Sequence, residues 1–252
     1  MSKPVQTALV TNVLGYAGAP AVDALLGAGF NVFAHDRSFS DAETWRAFHR
    51  DRERLECLWE AEPEVLIESA AAGGALCAIV SNDHVPAPAY SPEAALVDAL
   101  RANLEGLIEF PFRLVRAALP VFRALGGGNV VMITSNRMRL PLKGGAFPDS
   151  ARAGANALVR SLAVDCAADG VIVNAVAPNF LYSEAFYPKA FYKETERGRA
   201  YVDGSVPVGR LAEPDEIGEV IAFLATAKTR FLTGAVIDFS GGWPFGPARP
   251  NG

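Results

Sequence analysis

No uninterrupted apolar run reaches the roughly 18 residues that a membrane-spanning helix requires. The start, MSKPVQTALVTN, passes directly into a strand-like pattern without a charged-then-apolar leader. A cytoplasmic protein with no membrane contact is the expectation. Cysteine is scarce: Cys57, Cys77 and Cys166 are an odd number in apolar surroundings, which fits reduced core thiols and not a disulfide frame. Histidine is as rare, at 3, and no close Cys/His pair stands at ligand spacing, so no metal is expected. Neither sign of charge dominates. The formal net charge is -5 and the basic residues are scattered, which offers no stripe to a phosphate backbone, so nucleic acid is not an expected partner. One further gap bears on chemistry, since no tyrosine lies between Tyr90 and Tyr182.

What is present is a chain of 252 residues, 50% apolar, able to bury one large core as a single domain over residues 1–252. Residues 7–11 (TALVT) are β-prone, and a glycine-containing turn leads to an apolar helix pattern over 19–26, ended by Gly27 and Gly29. Similar strand-like runs stand at 31–35, 55–59, 76–80, 130–133, 171–176 and 235–239. Helical patterns lie between them at 63–70, 104–125 and 215–224. The alternation predicts an α/β fold, a Rossmann-like doubly wound parallel sheet flanked by helices. Ser40-Asp41-Ala42-Glu43 fits a capping box opening a helix that carries Trp45 and Phe48, and Ser91-Pro92-Glu93 marks another start. The long segment 104–125 should bend at Pro111 and stop at Gly126-Gly127-Gly128; Phe110, Phe112 and Leu114 exceed what one sheet face can cover and suggest subunit contacts.

Strand ends on one edge of such a sheet point into the ligand crevice. That makes Asp83, His84 and Ser135 candidates for chemistry. Ser135 together with Arg152, in SARAGANALV, resembles the short-chain dehydrogenase/reductase segment Ser-x12-Tyr-x3-Lys, in the form used by halohydrin dehalogenases, where arginine replaces lysine. The tyrosine position is Pro148. The first turn resembles the family's Thr-Gly-x3-Gly-x-Gly, with Asn12 and Tyr16 filling two glycine places, and an aromatic there would stand in the path of a dinucleotide. Asp36, which would hold a ribose in nicotinamide enzymes, means little without those glycines. Pro207-Val208-Gly209-Arg210-Leu211 and Thr233-Gly234 extend the resemblance over almost the whole chain.

The resemblance implies a cofactor-free carbon-halogen lyase that interconverts vicinal halohydrins and epoxides, with a small-molecule substrate and a halide ion as partners. Ser135 would hold the substrate oxygen, and Arg152, paired to Asp83, would lower the pKa of a base. Tyr16, Asn12, Pro178, Asn179, Phe180 and Leu181 would wall the substrate and halide pocket, the last residues offering backbone N–H groups. Residues 182–206, aromatic and irregular and including Tyr187, read as a substrate lid. The tail 243–252 carries Trp243 and Phe245, which could reach a neighbouring subunit of the homotetramer that the relatives form. Pro148 cannot act as a base, so Asp149, His84 and Tyr16 are the substitutes to weigh. A helix that starts later, with Pro148 as its first residue, is the plainer reading of that proline. A relative that binds a small molecule or anion without chemistry, and a nicotinamide oxidoreductase, are the alternatives.

Overall fold

The computed structural model describes residues 5–83, 96–141 and 143–246. Seven parallel strands form its centre: β1 (Gln6–Val10), β2 (Asn31–His35), β3 (Leu55–Leu58), β4 (Ala75–Ser81), β5 (Gly128–Ile133), β6 (Val171–Pro178) and β7 (Val236–Phe239). They lie in the order β3-β2-β1-β4-β5-β6-β7. The main helices are α1 (Gly18–Gly27), α2 (Ala42–His49), α3 (Pro63–Ala72), α4 (Leu96–Leu104), α5 (Phe110–Leu125), α6 (Ala146–Cys166), α7 (Lys189–Tyr192), α8 (Glu196–Ser205) and α9 (Pro214–Thr226).

Successive strand residues point to opposite faces, and both faces are covered, which is why the strands read as continuous apolar runs. Ala8, Val10, Val131 and Ile133 share one core with Val22 and Leu25 of α1 and Ile217 and Ile221 of α9. Leu9, Val130 and Met132 point the other way, into a core with Leu66 of α3, Phe122 of α5 and Leu162 of α6. Each such buried side chain contributes about 1.5–3 kcal/mol. The chain is therefore a single-domain α/β fold with helices on both sides of one parallel sheet.

Several local expectations need correction. Asp41, not Ser40, caps α2, accepting from the N–H groups of Glu43 and Thr44, while the Ser40 hydroxyl donates to the Arg37 carbonyl. The irregularity in the central helix lies one turn before Pro111. There Glu105–Glu109 form a widened turn in which Phe110 N–H donates to Glu105 O. Pro111, which has no N–H, then opens α5. Gly126, with φ 76, closes α5, but Gly128 is already the first residue of β5. The start at 91–93 lies outside the described residues. Helix α6 begins at Ala146, ahead of Pro148 rather than on it. The proline falls in the first turn, where its missing N–H has no helical partner to lose.

Residues 182–206 are irregular only in part: 182–188 are turns and bends, while α7 and α8 form most of the rest. Thr195 caps α8 by accepting from Gly198 N–H at 2.9 Å, and Gly198 packs so closely on the Phe191 carbonyl that a Cβ would overlap it. Trp243 does not reach outward. It is 8% exposed and its ring lies 6.0 Å from that of Phe180 in the same chain. Phe245 is the exposed aromatic of the tail, with the Arg139 guanidinium 5.3 Å over its ring.

Candidate active site

Strand order reverses between β1 and β4, and in this architecture that point is the ligand crevice. Here the loop after β4 is fastened to the turn after β1. Asp83 Oδ1 accepts from the Thr11 hydroxyl at 2.9 Å and from the Asn12 amide, and Oδ2 accepts from the Ser81 hydroxyl. The Asn82 amide donates to the carbonyls of Asn12 and Gly15 at 2.8 Å each and accepts from Ala17 N–H at 3.3 Å. Asn82 was missed from sequence; its place beside Asp83 at a strand end was the available signal. Asp83 is thus held by the β1–α1 turn and not by Arg152, correcting the expected pair. Burial raises its carboxyl from 3.8 to about 6, against the pull of its three side-chain hydrogen bonds.

Asn12 and Tyr16 adopt the left-handed backbone that glycine favours, with φ 48 and 46, at a cost of about 1–2 kcal/mol each. The Tyr16 ring meets Phe186 edge-on at 5.2 Å, over the place where a dinucleotide would pass. Asp36 accepts from Leu14 N–H at 3.2 Å and Ser38 N–H at 3.0 Å, so both its oxygens serve the chain itself. The residues present do not fit a dinucleotide. Asn12 belongs with Asp83, His35 and Phe110 to a separate cavity of about 230 Å³, in which burial lowers the His35 imidazole to about 4. Among the described residues no group of three His, Cys, Asp or Glu could hold a metal.

A cavity of about 220 Å³ opens beyond the ends of β5 and β6, where Tyr16, Ser135, Arg137, Arg152, Pro178, Asn179, Phe186 and Tyr187 meet Tyr192 of α7 and Tyr201 of α8. The Ser135 hydroxyl donates to Pro178 O at 3.3 Å and accepts from Arg137 N–H at 3.1 Å. The Asn156 amide of α6 donates to Ser135 O at 2.9 Å, fastening the loop to the helix that carries Arg152. Arg152 stands 5.9 Å over the Phe186 ring, and its buried Nε has no aligned acceptor among the described residues. Burial draws its pKa down, and Tyr16 opposes that. Burial likewise pushes the phenols of Tyr16 and Tyr187 well above their usual value, so both are neutral.

Arg137 was not singled out from sequence, and its two-residue offset from Ser135 was the only hint. Its Nε lies 3.1 Å from Asp149 Oδ1, although the pair is not aligned as a hydrogen bond and both carboxylate oxygens lack one among the described residues. Asp149 therefore sits behind Arg137 and does not line the cavity. The backbone expected to offer its N–H groups to halide is partly engaged. Asn179 N–H donates to Phe239 O at 3.0 Å, and Phe180 N–H donates to Asn179 Oδ1 at 3.0 Å, an oxygen that also takes the Tyr187 hydroxyl at 2.8 Å. Phe180 backs the wall through Tyr187, 5.3 Å ring to ring, while Leu181 is buried in the sheet core. Of the sequence candidates, Tyr16, Ser135, Arg152, Pro178, Asn179 and Tyr187 meet at one cavity. Asp83, Asn12, Asp149 and Leu181 do not line it, and His84 lies outside the described residues.

Comparison with known proteins gives mostly oxidoreductases by sequence and both dehalogenases and oxidoreductases among solved structures. The family described as Enoyl-(Acyl carrier protein) reductase matches residues 78–244. A tropinone reductase homolog of Arabidopsis thaliana is 27% identical over 248 residues, covering 94% of this chain and 92% of that protein. Among solved structures, a halohydrin dehalogenase bound to ethyl (2S)-oxiran-2-ylacetate superposes with a TM-score of 0.89 at 32% identity, covering 97% of this chain and 100% of that one. A chain described as a dehalogenation enzyme gives 0.88 at 31%, covering 95% and 98%. With its parallel sheet, its strand-end serine and these relatives, the chain belongs to the short-chain dehydrogenase/reductase superfamily.

Proposed function

We propose that the chain is a carbon-halogen lyase of the halohydrin dehalogenase kind, working without nicotinamide on vicinal halohydrins and epoxides. The observation that carries this reading is one small cavity that joins Ser135, Arg152 and the Pro178-Asn179 strand end, beside a turn whose glycine places hold Asn12 and Tyr16. The substrate hydroxyl sits against Ser135. Its proton leaves, the alkoxide oxygen forms a bond to the neighbouring carbon, and the carbon–halogen bond breaks with its electron pair going to the halide. The halide departs towards Pro178 and Asn179. Arg152 stabilises the alkoxide electrostatically.

The proton acceptor is solvent. Pro148 has no titratable group, the Tyr16 phenol is held neutral by burial, and Asp149 is engaged behind Arg137. The reaction should therefore be slow and should quicken with rising pH. The homotetramer belongs to the same proposal, through the exposed apolar residues Phe112 of α5 and Val164 of α6, at 43% and 78% exposure.

The test is halide release from a short vicinal chloro- or bromo-alcohol at mildly alkaline pH, comparing the natural protein with Ser135→Ala. Release that falls at least about tenfold in the variant is the expected result, on the scale of one lost charge-stabilising hydrogen bond. No release from the natural protein on several such substrates would refute the lyase. Pro148 itself favours a second reading, a pocket that binds small molecules or anions without turnover. In that case bromide would change the fluorescence of Trp243 while no substrate lost halide.

A further inference from the structure

We infer that the molecule this cavity takes is a small organic carboxylate, its carboxylate gripped by Arg137 and its reacting hydroxyl held by Ser135. This deepens the proposed reaction and rests on it only for the identity of the reacting group.

The charge balance of the cavity points this way. Two guanidinium side chains, Arg137 and Arg152, line it, and one carboxylate, Asp149, faces them from behind. The other polar side chains on the wall are the Ser135 hydroxyl, the Asn179 amide and the phenols of Tyr16, Tyr187, Tyr192 and Tyr201, none of them anionic. The neighbouring carboxylates are engaged elsewhere: Asp238 pairs with Arg139 at 2.7 Å, Glu184 accepts from the Tyr182 hydroxyl at 2.5 Å, and Asp83 is bound into the β1–α1 turn. One positive charge is left uncompensated at a half-open cavity with aromatic walls, where an opposite charge is attracted more strongly than in bulk water.

The shape of the donor selects the anion. Asp149 is 7% exposed and stands 3.1 Å from Arg137 Nε, whereas the Arg137 side chain remains 34% exposed. Its two terminal nitrogens take no hydrogen bond among the described residues. A guanidinium whose nearest carboxylate lies on its Nε side can offer the planar fork of those two nitrogens, which matches the two oxygens of a carboxylate. A spherical halide gains nothing from that fork and belongs at the strand end. Asp149 is then a positioning residue, setting the direction in which Arg137 points. The volume of about 220 Å³ is below the range of drug-sized pockets and limits the ligand to a few carbon atoms.

The experiment is a calorimetric titration of the intact chain with 3-hydroxypropanoate and with its neutral isostere 3-hydroxypropanamide, with inorganic phosphate as a further arm. The carboxylate should bind at least about tenfold more tightly than the amide and than phosphate. Arg137→Gln should reduce that ratio to near one, Arg137→Lys should restore part of it, and Asp149→Asn should lower it while leaving amide binding unchanged. Thermal melts of each variant show whether the fold is retained. Equal binding of acid and amide, or a ratio that Arg137→Gln leaves intact in a folded protein, overturns the inference, as does tighter binding of phosphate. No turnover is needed for this readout, so a protein that prefers the carboxylate yet releases no halide refutes the lyase and not the carboxylate. Faster halide release from 3-chloropropane-1,2-diol than from 3-chloro-2-hydroxypropanoate refutes the carboxylate and not the lyase.

Discussion

Replacing Asp83 by asparagine removes a buried charge while keeping the shape that closes the β1–α1 turn. Burial lifts the carboxyl from 3.8 to about 6 in the folded chain. Between about pH 4 and 6 the folded state holds a proton that the unfolded state has released, so stability falls as pH rises through that window. The full displacement corresponds to about 3 kcal/mol, or on the order of 6–12 °C in Tm for a domain of this size. In the asparagine variant Oδ1 can still accept from Thr11 and Asn12, and the Ser81 hydroxyl must turn to accept from the new amide. Differential scanning calorimetry of both proteins from pH 4 to 8 should show melting points converging at the acid end, with the variant ahead by several degrees at pH 7. A natural protein that gains on the variant as pH rises would refute the reasoning. That opposite sign is what a carboxylate paired with Arg152 would give, since a cation depresses the pKa.

Pro148→Tyr restores a phenol near Arg152 and should raise halide release by about 10²- to 10⁴-fold; an unchanged rate would mean that proton removal does not limit the reaction. Gly198→Ala places a Cβ against the Phe191 carbonyl, which should destabilise the lid helices by about 1–3 kcal/mol and raise KM through Tyr192 and Tyr201; an unaltered melt and KM would show that this packing yields freely. Titration with NADH and NADPH, followed by fluorescence, should show no saturable binding up to about 1 mM, a limit near -4 kcal/mol. Micromolar binding of either would overturn the assignment of Tyr16 as an obstruction. Asn82→Ala removes three side-chain bonds that fasten the turn and should cost about 1–3 kcal/mol, read as a lowered urea midpoint.

The sheet was legible because its signal is short-range and repeated. Residues 31–35 are a strand in both reading and structure, since an apolar run bounded by polar turn residues has few other ways to bury itself. The central helix was less so: Pro111 was visible, but the widened turn at Glu105–Glu109 compensates for its missing N–H one turn earlier, and only the completed helix shows where the ladder adjusts. At the site, Ser135, Arg152, Pro178 and Asn179 could be found because strand ends and a fixed spacing place them together. The partner of Asp83 could not. Arg152 and the Thr11-Asn12 pair were both plausible in a linear reading, and the choice depends on a loop conformation decided by Asn82.

By itself, the sequence determined the α/β class, the parallel sheet, the presence of Asn12 and Tyr16 in the first turn, and a proline at 148. Composition, periodicity and residue identity suffice for these, because each is a property of neighbours along the chain. The tertiary structure alone decided that Asp149 comes within 3.1 Å of Arg137, that the N–H groups of Asn179 and Phe180 are already engaged, and that Trp243 turns inward onto Phe180. Hydrogen bonds and ion pairs act over about 3 Å. Which of several chemically equivalent partners comes within that distance is settled by how helices and loops pack across the sheet.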